Sequence, residues 1–162
     1  MRRLVDFFVR PTMPHALPTD LGLTLLRVAT GLALAIVFEK VLPREGVWGP
    51  QAWFVADVAA MGFPYPAFFA WAAALAEFVG GLLLVVGLAT RPAALLNAIV
   101  LFVAAFLHHG GDIALNGLMA FTFFIMTVTL LLTGPGRFSL DHLIATRLYA
   151  RRPAPVSDTV TA

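Results

Sequence analysis

The chain has 162 residues, one domain's worth, of which 60% are hydrophobic and only 12% charged, whereas a soluble domain carries about 25% charged residues. The net charge is +2 and the mean hydropathy +0.88. With no cysteine, disulfides, a dithiol relay, thiolate metal sites and iron–sulfur clusters are excluded. The basic residues sit at the ends of apolar runs, not in an aromatic-interleaved patch, which argues against nucleic acid and for anionic lipid head groups.

Residues 1–20 open with Arg2 and Arg3, continue through Leu4, Val5, Phe7 and Phe8, and are broken by Pro11, Pro14 and Pro18. They read as a basic interfacial segment. A cleaved signal fits less well, because the first long apolar run begins only at Leu21 and no small-x-small site follows it.

A membrane domain then covers residues 21–138, with spans expected at 21–38, 67–88, 92–107 and 113–133. Each approaches the roughly 20 residues needed to cross a hydrocarbon core of about 30 Å. Ala89, Thr90 and Arg91 form a tight turn that makes the second and third spans an antiparallel hairpin. The long connection before it is rich in Trp, Phe, Pro and Gly. A short interfacial helix is expected there over 51–61, with Trp48, Trp53, Phe54 and Tyr65 forming an aromatic surface for head groups or a partner. After the stop at Gly134-Pro135-Gly136, Ser139 is placed to cap an amphipathic cytoplasmic helix over 139–152. Residues 153–162 read as a disordered tail.

Eight arginines fall on the side holding both termini and the Arg91 turn, while the other side has only Lys40 and Arg44 beside Glu39 and Glu45. The positive-inside rule therefore puts both termini in the cytoplasm and the aromatic loop outside.

Arg27 and Glu77 lie well inside spans, where a charge costs at least about 2.5–3.5 kcal/mol without a partner or a wet cavity. Counted from the cytoplasmic span ends their depths differ by about 6 Å, within reach of an arginine. Small or hydroxyl neighbours surround both: Ala73, Ala74, Gly80 and Gly81 near Glu77, Thr24, Thr30 and Gly31 near Arg27. A direct Arg27–Glu77 pair is the expectation, with Thr30 and Asn97 in the same polar seam. Two roles fit it: an ion pair that only fixes register, or a site for a quinone, a polar head group or a proton.

His108, His109 and Asp112 are weak metal candidates, since adjacent helical residues point about 100° apart; no metal site is expected. No nucleophile–base pair or phosphate loop occurs, and no catalytic residue is assigned. The chain is expected to act through a partner, catalysing no covalent chemistry alone.

Several strings in order resemble the DoxX family of small bacterial membrane proteins: Leu-Leu-Arg-Val-Ala-Thr-Gly at 25–31, Glu39-Lys40, Ala-Leu-Ala-Glu-Phe-Val-Gly-Gly at 74–81, Gly-Leu-Ala-Thr-Arg-Pro at 87–92, and Gly-Pro-Gly-Arg-Phe-Ser-Leu-Asp at 134–141. One departure is Val37-Phe38, where many relatives carry a His-Gly pair, so no role for that histidine is carried over. The resemblance implies an all-α four-helix bundle in the bacterial inner membrane. It further implies a subunit that anchors or assists a redox partner, since a related subunit family belongs to thiosulfate:quinone oxidoreductase. The alternative it leaves is a quinone- or quinol-binding subunit using Arg27 and Glu77.

Overall fold

The computed structural model describes residues 17–41, 48–110 and 112–150. The expected segment 1–20 lies outside this range up to residue 16, as does the tail 153–162. The described residues form six α-helices: α1 (Leu17–Ile36), α2 (Ala52–Ala60), α3 (Pro66–Val86), α4 (Thr90–Phe102), α5 (Leu118–Thr133) and α6 (Leu140–Ala150). A 3-10 turn, Val37–Val41, prolongs α1, and π-helical turns at Val103–His108 and Ile113–Gly117 end α4 and lead into α5.

Three segments, Leu17–Val41, Pro66–Val86 and Thr90–His108, are long and apolar enough to cross a membrane. The fourth, α5, has 16 residues, about 24 Å of helix, and is continuous with the π turn before it. Leu25, Ile36, Leu132 and many like them face outward, as in a bundle whose solvent on that face is lipid. The protein is an all-α membrane bundle with short flanking helices.

α1 packs on α3, α3 on α4 and α4 on α5, and a slighter α1–α5 contact closes the ring. Two glycines set the α1–α3 register. A Cβ on Gly31 would stand 2.5 Å from the Gly81 carbonyl oxygen, and one on Gly81 would stand 2.6 Å from the Gly31 carbonyl oxygen. The two backbones therefore touch, the close approach that small residues permit in lipid. Leu34, Leu84, Leu101 and Leu130 are buried around this crossing.

The α3–α4 turn is built partly from afar. Gly87, at φ 70°, ends α3 in the left-handed conformation, and its N–H and that of Leu88 donate to the Leu83 carbonyl. Ala89 stands at the N-cap of α4 with no side chain able to cap it. Asp141 of α6 does so instead, its two carboxylate oxygens accepting from the Ala89 and Thr90 N–H groups at 2.8 and 2.9 Å. This cap lets α4 start at Thr90, two residues before the expected boundary. α1 likewise begins at Leu17, so Pro18 sits within its first turn and does not precede it. Ser139 caps α6 as expected, accepting from the His142 N–H.

Candidate functional site

Arg27 and Glu77 do not pair. α1 and α3 run antiparallel and cross at Gly31 and Gly81, so Arg27 lies one turn from the crossing towards the Arg91 turn and Glu77 one turn in the opposite direction. Eight residues of rise separate them, about 12 Å. The span ends do not lie level, because the Gly31–Gly81 contact fixes a different register from the expected one. The Arg27 side chain extends away from Glu77, down beside Gly87. It donates to the carbonyls of Pro135 and Phe138, both at 2.6 Å, while Asp20 accepts from the Arg137 N–H at 3.0 Å. Arg27, Asp20 and Asp141 thus tie the segment after α5 against the ends of α1 and α4. This end is a structural lock.

Glu77 is held from the other end. Phe38 stacks on Phe78 with ring centroids 4.3 Å apart, which sets the 3-10 turn against α3. Lys40 then reaches Glu77, Nζ to Oε2 at 3.3 Å. The Lys40 ammonium also lies 5.0 Å from the centre of the Phe54 ring, a cation–π contact. Its carbonyl accepts the Gln51 N–H at 2.9 Å, just before α2. Lys40 therefore joins the end of α1, α2 and α3.

This pair lines a cavity of about 690 Å³ between the halves of α3 and α4 remote from their shared turn. Ala73 and Ala76 of α3, Val100 of α4 and Ala104 of the π turn after it line its walls, with Leu34 at its inner end and Phe54, Asp57 and Val58 of α2 over it. The helices meet closely at Gly80, where a methyl would overlap the Asn97 side chain, and the cavity lies beyond that contact. Leu96, Ile99 and Met119 also line it while facing the exterior, so it communicates with the lipid-facing surface. Such a volume, mostly apolar with a few polar groups, suits a small lipophilic ligand.

The polar groups lining it are Lys40, Glu77, Asp57, His108, His109 and Asn116. His108 Nε2 stands 4.0 Å from Asp57 Oδ2, too far for a direct hydrogen bond but close enough for an ion pair when the imidazole is protonated. The His108 and His109 rings meet edge to face at 4.6 Å. Asp112 turns to Asn116, whose amide donates to its carboxylate at 3.0 Å. Among the described residues no three His, Asp or Glu side chains gather as a metal site would require.

Of the residues expected in one polar seam, only Glu77 reaches the cavity. Asn97 is buried against Gly80 and donates to the Ala93 carbonyl, and Thr30 donates to the Met126 sulfur at 3.6 Å. Both pack between helices. Trp53 and Phe54 line the cavity, whereas Trp48 and Tyr65 are 68% and 81% exposed at the same end. Lys40 and Asp57 are the cavity groups that span-by-span reasoning passed over. For Lys40 a signal existed, since Glu39-Lys40 ends the first apolar run.

The DoxX family model matches residues 22–110, more than half of the chain, and the chain belongs to the DoxX family. No curated protein and no solved structure matches it.

Proposed function

Taking this as a DoxX-family membrane protein, we propose that it is a subunit of a redox assembly and holds a quinone-class ligand in the cavity beside Lys40 and Glu77. The observation that carries the proposal is a lipid-facing apolar cavity in which the buried Glu77 carboxylate pairs with the half-buried Lys40 ammonium. A quinone head is a flat apolar ring with two carbonyl oxygens, and a cavity of about 690 Å³ has room for it and the start of a tail. Lys40 donates to a ring oxygen, Glu77 accepts from the hydroxyl of the reduced form, and the apolar walls exclude water. A bound quinone would supply the two-electron chemistry, and a partner protein would pass the electrons to or from it.

Partner docking is favoured by a separate observation. Trp48 and Tyr65 project from the end that α2 covers, and aromatic side chains are enriched at protein interfaces. The arginine asymmetry supports placing this end outside the cytoplasm of a bacterial inner membrane, with the 139–152 helix and both termini inside.

To test the proposal, the protein is purified from its native membrane and bound lipids are extracted for mass spectrometry. A quinone present with the wild type and depleted in Lys40→Met and Glu77→Gln variants that remain folded in the same detergent supports it. Quinone content equal in all three, or at the level of a detergent blank, overturns it.

A further inference from the structure

Four charged or titratable groups form a graded series from the interior of the bundle to its surface. The Glu77 side chain is 6% exposed and Lys40 26%; His108 is 36% and Asp57 40% exposed. They are also contiguous. Lys40 contacts both the Glu77 carboxylate and the Phe54 ring, and Asp57 lies three residues from Phe54 on α2, about 4.5 Å along the helix. His108 faces Asp57 from the end of α4. His109 and Asn116 add polar groups to the same cavity, whereas α1 contributes only Ala33 and Leu34 to it. Among the described residues, the charged groups lining the cavity with Glu77 thus lie between it and the surface that α2 covers.

The opposite direction is closed. Leu34 and Leu101 close the inner end of the cavity, the backbones touch at Gly31 and Gly81 just past Glu77, and Leu84 and Leu130 are buried beyond that contact. Asn97 is buried against Gly80. Then come the Arg27 bonds to Pro135 and Phe138 and the Asp141 cap. From Glu77 to Gly87 is ten residues, about 15 Å of helix, packed with hydrocarbon at its centre, a poor path for a proton.

We infer that Glu77 is a proton-binding site in contact with the aqueous phase on the α2 side only, through the cavity mouth at Asp57 and His108, and sealed from the side of the Arg91 turn. Hydronium at the mouth gives up the proton and is left as water, the Glu77 carboxylate takes that proton as a new O–H bond, and Lys40, keeping its own protons, is released to hydrogen-bond whatever occupies the cavity. The site goes beyond the quinone proposal, since it holds for the protein without any ligand.

The test uses the full chain in sealed vesicles of one orientation, with the pH on each side set independently. A hydrophobic carbodiimide enters from the lipid and adds a protonated carboxyl across its C=N bond, leaving a mass tag on Glu77 that peptide mass spectrometry quantifies. The expected result is that tagging rises as the pH on the α2 side falls, about tenfold per unit above its midpoint, and ignores the pH on the other side. The Glu77→Gln chain identifies the tag by losing it. Tagging that follows the Arg91 side, tagging that follows both sides, or no tag at any pH overturns the inference. None of these outcomes depends on whether quinone is bound.

Discussion

Replacing Lys40 and Glu77 singly and together by leucine isolates the contact on which the cavity is built. At 3.3 Å the gross attraction is about 5 kcal/mol for an effective dielectric constant of 20. Desolvation of Glu77 and the entropy of ordering Lys40 offset much of it, leaving a coupling of about 1–3 kcal/mol. The single variants should therefore each lose stability, and the double variant should lose less than their sum. Arg27→Leu with Glu77→Leu is the internal contrast: with about 12 Å of helix between them, their losses should add to within about 0.5 kcal/mol. The assay is reversible unfolding of all six proteins, the wild type, the three single variants and the two double variants, in one detergent mixture. Additive losses for Lys40 and Glu77 together with coupling between Arg27 and Glu77 would refute the assignment of partners.

Asp141→Ala should cost about 1–3 kcal/mol in the same assay, since it strands the buried Thr90 N–H and the part-buried Ala89 N–H at the start of α4, and no loss would contradict the remote cap. Gly31→Ala or Gly81→Ala should each cost about 1–3 kcal/mol, because the added methyl meets backbone that cannot yield. Gly22→Ala, on the same helix with nothing within 4 Å, should instead gain up to about 1 kcal/mol; similar losses at all three would remove the crossing from the account. In intact cells, a membrane-impermeant thiol reagent should label Gly49→Cys and spare Thr146→Cys, and the reverse pattern would invert the orientation drawn from the arginines.

The spans were legible in the sequence because an apolar run of about 20 residues has few other solutions. The glycine faces around Arg27 and Glu77 were also legible as contact surfaces, and Gly31 and Gly81 do meet. Their vertical register was not. A one-turn offset on each of two antiparallel helices doubles into about 12 Å, and nothing local to Arg27 states which way its side chain extends. The Asp141 cap joins groups 51 and 52 residues apart, beyond any local capping signal. The cavity is a property of the space between helices, and its residues, apolar side chains from several elements with Lys40 and Asp57 among them, carry no motif of their own.

The central claim is that a quinone-class ligand enters from the bilayer and rests beside Lys40 and Glu77. A photoreactive quinone analogue, crosslinked to the purified protein in lipid and mapped by peptide mass spectrometry, tests it most directly. The account predicts adducts on Ala73, Ala76, Val100, Ala104 and Phe54, displaced by excess unlabelled quinone and lost in Glu77→Gln. Adducts spread over outward residues such as Leu25, Ile36 and Leu132, undiminished by competitor, would contradict it.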